Sequence, residues 1–303
     1  MPGTDGARRE DRLDAALAAY FVIVWGAGFL ATKTGIQYAP PFTFLVIRFA
    51  FGILVVLPWL AWVRPRWPAT KGEWFHVAVA GILMHAVHLS GSHYAQYLGM
   101  SAGITALIMA AQPIVTAVIA WRLMGQGLTR VQWFGVAMGL AGVALVVWHK
   151  VDIRAMSAGS LLAVSTGLAG ITVATLYQRH FCPDTDLRGA TLVQFAAALV
   201  VLIPAAYFVE GFAVRWSWAL LAAIAYLVVL ASIGAVMALH TLVRHGHAAR
   251  ATSIVYLTPI VAVILEWAMF GVVPTATSVA GIAVACAGVA LVTRRAQAPV
   301  PPG

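Results

Sequence analysis

Four polar side chains share one face of an apolar stretch that follows Gly81. The spacing i, i+3, i+7 and i+11 belongs to His85, His88, Ser92 and Gln96, and it places all four on one side of an α-helix. A neutral imidazole in an apolar interior donates or accepts a hydrogen bond. Three interpretations of the two histidines stay open: hydrogen-bonded packing, contact with a bound solute, and a proton relay. Because no Cys, Asp or Glu lies beside them, we expect neither a metal nor a cofactor.

Two prolines, Pro113 and Pro259, stand in the middle of apolar stretches. A proline inside a helix removes one backbone donor and leaves the carbonyl four residues earlier without its bond, here at Met109 and Val255. In a bilayer such a carbonyl must face protein or a wet cavity. We expect each proline to act as a kink or hinge, with contact between the freed carbonyls and an ammonium group as the alternative.

Further candidates surround these prolines and the first apolar stretch. Gln112 and Thr258 directly precede the prolines, and we expect both to face a cavity, while Tyr256 adds a hydroxyl that needs a partner. Trp25 lies in a stripe with the aromatic residues four before and four after it. The stripe is interpreted as packing, or as a wall that stacks on an aromatic solute. The candidate cavity-lining residues are Trp25, His85, His88, Gln112, Tyr256 and Thr258.

Membrane-spanning helices are the elements that must position these residues. The 303 residues are 62% hydrophobic and 10% charged, with a mean hydropathy of +0.90, whereas soluble domains carry about 25% charged residues. A spanning helix takes about 20 residues, and open sheet edges are unpaired in lipid. We therefore predict an all-α polytopic membrane protein. Ten apolar windows fit, at 14–33, 42–62, 74–97, 101–121, 130–148, 158–178, 189–208, 217–242, 249–270 and 277–293.

The basic residues indicate which way the windows run. With the N-terminus in the cytoplasm, fourteen of the 19 Lys and Arg residues fall on the cytoplasmic side, which is the usual bias of membrane proteins. We therefore predict that both termini are cytoplasmic. This bias also explains the net charge of +9. No basic run interleaved with aromatic residues lies between the windows, so we expect lipid rather than nucleic acid as a partner.

Charged side chains inside the windows are few. Of ten Asp and Glu residues, nine lie in tails, in loops or at window ends, and Glu266 alone lies inside a window, near its predicted outer end. A carboxylate in mid-membrane, the usual group for proton coupling, is therefore missing. Lys33 and Arg48 flank the predicted outer ends of the first two windows. We expect both to snorkel to the interface, with recognition of a carboxylate as the alternative.

Sliding the chain along itself by 146 positions reveals an internal repeat. The superimposed pairs are Pro58 with Pro204, Pro113 with Pro259, Trp121 with Trp267, Gly125 with Gly271, Gly135 with Gly281 and Gly142 with Gly288. Five windows per repeat is an odd number, so the second repeat enters the membrane upside down. The charges agree, because Arg122 and Arg130, predicted inside, fall on Ala268 and Ala276, predicted outside.

This pattern predicts two inverted five-helix repeats around a central cavity. Inverted repeats are the architecture on which many secondary transporters alternate access to a site at mid-membrane. The chain then divides into a cytoplasmic tail at 1–13, a first repeat at 14–148, a connecting loop at 149–157, a second repeat at 158–294 and a cytoplasmic tail at 295–303.

Three stretches resemble the EamA-type branch of the drug/metabolite transporter superfamily. They are Trp25 to Phe29 with Lys33, Pro40-Pro41 and Arg48-Phe49; Tyr97-Leu98 through Gln112-Pro113; and Arg250 to Ser253 through Tyr256 to Pro259. The resemblance implies ten helices, a central cavity, a location in the bacterial inner membrane, and transport of small metabolites, often outward. Among such proteins the chain is most similar to exporters of amino acids, including aromatic ones. It departs from the pattern at Gln126 and Val272, where the family usually has a glutamate.

The expected function is therefore a carrier that exports small metabolites, amino acids in particular. We expect no enzyme, since no nucleophile–base pair or phosphate loop is present, and a channel would need a filter-forming loop or ring. The energy source stays open between facilitated diffusion and proton coupling through histidine. The alternatives are proton-coupled efflux of drugs or lipophilic solutes, which calls for a buried carboxylate, and exchange of nucleotide sugars or sugar phosphates, which calls for deep paired cations.

Overall fold

The computed structural model describes residues 4–124, 129–149, 157–235, 238, 241 and 257–293. The first half contains α1 (Thr4–Gly35), α2 (Pro41–Val63), α3 (Lys71–Gly81), α4 (His88–Tyr97), α5 (Ala102–Ala110), α6 (Gln112–Met124) and α7 (Arg130–His149). The second half contains α8 (Ala158–Phe181), α9 (Leu187–Ala205), α10 (Trp218–Ala225), α11 (Thr258–Phe270) and α12 (Ala276–Thr293). Three stretches are π-helical: Ile82–Val87, Ala206–Glu210 and Tyr226–Ala235. Within these ranges the chain is helical, without a strand.

Six of the described helical segments are long and apolar enough to cross a membrane, and four further apolar helices are shorter. Continuous spans form where α3, a π-helical stretch and α4 follow one another, and where α9 runs into Ala206–Glu210. Each of the ten segments falls on one of the ten predicted windows. The predicted fold class, an all-α polytopic membrane protein, is confirmed.

The span that contains Pro113 is interrupted. α5 ends at Ala110 and α6 begins at Gln112. The Ala111 amide donates to the Ile108 carbonyl at 3.1 Å and the Ile114 amide to the Ala111 carbonyl at 3.0 Å, which is the tighter pattern of a 3₁₀ turn. The helix therefore breaks directly before the proline.

The corresponding proline in the second half lies at a helix start. Pro259 is in the first turn of α11, which is described from Thr258 onward. Tyr256 and the carbonyl of Val255 lie outside the described residues.

Helices α7 and α12 pack backbone against backbone. A Cβ atom added at Gly142 would overlap the amide nitrogen of Ala285, and one added at Gly288 would overlap that of Gly139. Glycine permits this approach because nothing projects from its Cα. Gly142 and Gly288 are equivalent at the offset of 146, so the two halves meet here through related positions.

A carboxylate at the end of the α9 span joins it to two helices of the first half. Glu210 accepts hydrogen bonds from the amides of Phe42 and Thr43 at 3.0 and 2.7 Å, and from the hydroxyls of Thr43 and Tyr94, both at 2.7 Å. The amides belong to the first turn of α2, where a negative charge is favourable. Glu210 therefore fastens α2 and α4 to the second half on the side predicted to be outer.

Glu266 forms a second carboxylate junction on the same predicted side. Its side chain is buried, accepts from the Lys33 Nζ at 2.6 Å, and receives the amides of Ala102 and Gly103 at 3.0 and 2.9 Å. The Lys33 ammonium also lies 4.6 Å from the ring centroid of Phe270. The expectation that Lys33 snorkels to the interface is therefore wrong, because its charge is paired inside the protein.

A third carboxylate joins the halves on the side predicted to be cytoplasmic. Asp186 caps α9, binds the Arg188 guanidinium through both oxygens, and accepts from the Arg66 amide at 3.1 Å. These hydrogen bonds, that from the Arg188 side chain above all, hold the pKa of Asp186 below its usual range. The carboxylate therefore stays ionised through ordinary acidic conditions.

Candidate functional site

A cavity of about 360 Å³ opens between the two halves. Its walls come from α1, α2, Ile82–Val87 and α4 in the first half, and from α8, α9 and Tyr226–Ala235 in the second. The volume is that of a site for a small molecule.

Lining residues from the two halves are related by the offset of 146. The pairs that line the cavity are Trp25 with Ile171, Thr32 with Gln178, Arg48 with Gln194, Phe49 with Phe195 and His85 with Ala231. The offset also carries the π-helical stretch Ile82–Val87 onto residues 228–233, inside the π-helical stretch Tyr226–Ala235. Wide π turns often occur at functional sites. The cavity is therefore built around the pseudo-symmetry of the repeat.

His85 is held among aromatic side chains at the cavity wall. Its Nε2 lies 3.4 Å from Gln194 Oε1. Its ring makes edge contacts with Phe49 and Phe195, at centroid distances of 5.3 and 5.0 Å. These contacts fix the orientation of a ring that borders the cavity.

The two ring nitrogens of His88, a residue of the cavity lining, have different roles. Its Nδ1 lies 3.1 Å from the carbonyl oxygen of Gly167, and because a carbonyl only accepts, Nδ1 carries the proton. The Nε2 of the neutral ring is then an acceptor, and it has no partner among the described residues. Ser92 also lines the cavity, whereas Gln96 is buried outside the lining.

The remaining predicted residues are distributed more widely. Trp25 lines the cavity, with its ring stacked on Phe21 at 5.4 Å. In the described part of the chain Gln112 and Thr258 lie outside the lining. The amide of Gln112 donates to the hydroxyl of Thr175 at 2.9 Å, and Thr258 is buried in the first turn of α11. The structure thus brings Trp25, His85 and His88 to one cavity.

Arg48 lies deeper than the sequence predicts. It is 9% exposed and lines the cavity, seven residues into α2, or about 10 Å from its start. Its Nη2 donates to Ser232 Oγ at 3.3 Å, and its Cζ lies 5.9 Å from the ring centroid of Phe49. The expectation that Arg48 snorkels to the outer interface is therefore wrong.

Sequence reasoning also missed two residues of the second half that line the same cavity as Arg48. Gln194 and Phe195 line the cavity, and the rings of Phe49 and Phe195 are 5.0 Å apart. The offset of 146 carries Arg48-Phe49 onto Gln194-Phe195. Applying the repeat to charged as well as apolar positions would have pointed to this pair.

The ligand types available in the cavity do not form a metal site. Among the described residues no three His, Cys, Asp or Glu side chains come close enough together to hold an ion. The lining in the same part of the chain combines three histidines and one arginine with hydroxyl, amide and aromatic groups, and includes no Asp or Glu.

Comparison with known proteins places this architecture in a family. The model of the EamA-like transporter family matches twice, at residues 14–148 and 157–294. The chain belongs to the EamA-like transporter family. This EamA-like protein is therefore a multi-pass membrane transporter, as the resemblance implied, and its two matched regions correspond to the two copies of the repeat.

Relatives of this EamA-like transporter support the assignment. The uncharacterized transporter YvbV of Bacillus subtilis is 24% identical over 293 residues, which cover 94% of this chain and 92% of YvbV. The uncharacterized inner membrane transporter YedA of Escherichia coli K12 is 26% identical over 273 residues, 86% of this chain and 88% of YedA. A probable amino-acid metabolite efflux pump of Salmonella typhimurium is 22% identical over 199 residues, 64% of this chain and 62% of that protein.

A solved structure shares the fold. A crystal structure superimposes on the EamA-like transporter with a TM-score of 0.64 at 17% identity, covering 92% of this chain and 95% of the other.

Proposed function

We propose that this transporter is an alternating-access carrier that exports small metabolites, above all amino acids with apolar or aromatic side chains. The observation that supports this most directly is the cavity of about 360 Å³ between the halves, lined by pairs of equivalent residues. A site on the pseudo-symmetry axis of inverted repeats is equally accessible to either side when one half rocks against the other. The interruption before Pro113 is the proposed hinge.

The composition of the lining supports an amino-acid-like solute. Trp25, Phe49 and Phe195 offer flat apolar surfaces to a side chain. His88 Nε2 offers an acceptor to an ammonium group. The similarity to the Salmonella relative, a probable amino-acid metabolite efflux pump, supports both this substrate class and outward transport.

Facilitated diffusion is the proposed energy source. In the described lining no Asp or Glu is present to carry a coupling proton. Proton coupling through His85 or His88 is the alternative. The proposed topology keeps both termini cytoplasmic, with the repeats at 14–148 and 158–294.

Efflux from proteoliposomes tests the proposal. Vesicles loaded with labelled phenylalanine or leucine are expected to release both in a saturable manner, at rates that a protonophore leaves unchanged. Trp25→Ala is expected to raise the KM for phenylalanine by about fivefold more than that for leucine, since an aromatic contact contributes about 1 kcal/mol. Trp62→Ala is the matched control, because Trp62 lies at a span end and is 84% exposed.

Two results would contradict the proposal. Release no faster than from protein-free vesicles, for every amino acid tried, would exclude the substrate class. Release that stops when the pH gradient is collapsed would replace facilitated diffusion by proton coupling.

A further inference from the structure

We infer, on the basis of the proposed transport function, that Arg48 binds a carboxylate of the transported solute and that the cavity selects solutes that carry one. In this carrier the recognised group of the solute is the carboxylate, and the residue that recognises it is Arg48.

The first observation is the isolation of the Arg48 charge. A guanidinium has five N–H donors, yet within the described residues Arg48 makes one hydrogen bond, to the hydroxyl of Ser232 at 3.3 Å. Its Nε is buried without a hydrogen-bond partner in the described chain. The ion pairs within those same residues are Lys33 with Glu266 and Arg188 with Asp186, and Arg48 takes part in neither. A buried charge without a partner is strongly unfavourable, so its anion is expected to arrive with the solute.

The second observation is the composition of the wall around Arg48. The Phe49 ring lies beside the guanidinium, Phe195 lies next to Phe49 in the same cavity lining, and the pseudo-symmetric counterpart of Arg48, Gln194, is neutral. A single guanidinium with its fork of parallel N–H groups matches the two oxygens of one carboxylate. The two negative charges of a phosphate dianion would be matched by one arginine in the described lining, which leaves one charge unpaired. The positive charge of an amine without an acid group would be repelled by Arg48. The wall therefore favours a monocarboxylate with an apolar or aromatic body.

Binding of four matched probes tests the inference. Phenylalanine, 3-phenylpropionate, phenylalaninamide and phenylethylamine share one ring and differ in the carboxylate and the amine. With the full-length transporter in detergent, calorimetry or ligand-induced thermal stabilisation is expected to show binding of the two carboxylates and at least tenfold weaker binding of the other two. Arg48→Gln is expected to weaken carboxylate binding by about 10–100-fold. Arg130→Gln removes an exposed arginine at the start of α7 and is expected to change nothing.

A second variant separates loss of binding from loss of fold. Since Arg48 carries an unpaired buried charge when the cavity is empty, Arg48→Met is expected to unfold at the same or a higher temperature than the parent chain. If Arg48→Met unfolds at a lower temperature, binding of the four probes to Arg48→Lys becomes the deciding measurement. Lysine keeps the charge and loses the fork, so retained preference for carboxylates at weaker affinity supports the inference, and lost preference overturns it.

Other results of the binding and flux measurements would overturn either the inference or the proposed function. Equal binding of phenylalanine and phenylalaninamide to the parent chain, absence of binding for all four probes, or an unchanged preference in Arg48→Gln each overturns the inference. Carboxylate-dependent binding without flux in vesicles removes the proposed function and leaves the inference standing. Flux of amino acids at a rate that does not depend on their carboxylate would overturn the inference and leave the proposed function standing.

Discussion

Three charged side chains, of which Glu266 and Arg48 are buried and Glu210 is partly buried, illustrate two different uses of a charge within a largely apolar protein. Glu266 meets one ammonium and two amides, and Glu210 meets four donors. Both are satisfied within the protein and hold helices together. Among the residues that the structure describes, Arg48 makes one hydrogen bond, to a hydroxyl at 3.3 Å. A satisfied charge stabilises the fold, whereas one that is left open beside a cavity is suited to binding.

The pairing of Lys33 with Glu266 is testable at the level of single residues. Glu266→Gln leaves the ammonium without its anion and is expected to lower the free energy of unfolding by about 2 kcal/mol. The loss stays below that of a fully buried pair because the Lys33 side chain is 22% exposed. Thermal unfolding in detergent measures it.

A double variant supplies the control. Lys33→Met together with Glu266→Gln removes the unpaired ammonium, so part of the lost stability is expected to return. Equal unfolding temperatures for the single and double variants would show that Lys33 does not depend on Glu266.

Some of these residues could be predicted from the sequence and others could not. His85 and His88 could be placed together because the spacing within one helix defines a face. The sequence wrongly predicts that Lys33 and Arg48 reach the membrane interface, because the hydropathy of a cation near the end of an apolar window is the same whether its side chain faces lipid or protein. The partner of Lys33 is 233 positions away, and no local pattern reports such a contact.

At the level of elements, the sequence predicts the membrane spans well. It predicts the interruptions and π-helical stretches inside those spans only in part. A window of about twenty residues accumulates a strong hydropathy signal. A proline inside a helix removes a backbone donor, so the sequence predicts a kink or hinge at Pro113, but not that α5 ends at Ala110. A π turn adds one residue without changing polarity. The π-helical stretch Ile82–Val87 therefore cannot be recognised in the hydropathy pattern, although it forms part of the cavity wall.

The contact between α7 and α12 makes a prediction about helix packing. Gly142→Ala and Gly288→Ala would each place a methyl group against main-chain atoms of the facing helix, which cannot move aside independently. Each is expected to lower the free energy of unfolding by about 1–3 kcal/mol. Unfolding temperatures in detergent measure the effect.

Gly72→Ala is the matched control for this packing. A Cβ there would meet the Thr70 hydroxyl at 3.8 Å, an ordinary contact in the first turn of α3. Its stability is expected to be unchanged or slightly higher. Equal behaviour of all three variants would show that the close approach of α7 and α12 contributes nothing.

At the level of the whole molecule, the inverted repeat predicts that equivalent positions lie on opposite sides of the membrane. Thr129 and Thr275 are 146 residues apart, and each hydroxyl lies at the start of a helix, α7 or α12. In a chain without its natural cysteines, Thr129→Cys is expected to react with an impermeant maleimide only after cells are opened. Thr275→Cys is expected to react in intact cells. Labelling of both from the same side would contradict the inverted arrangement.

Glu210 sets a condition on how the molecule can change shape. Its four hydrogen bonds reach the first turn of α2 and the Tyr94 hydroxyl of α4 through one rigid carboxylate. Three of the four donors belong to the first turn of α2 and one to α4. Separation of α2 from this carboxylate would therefore remove three hydrogen bonds, and water would have to replace them.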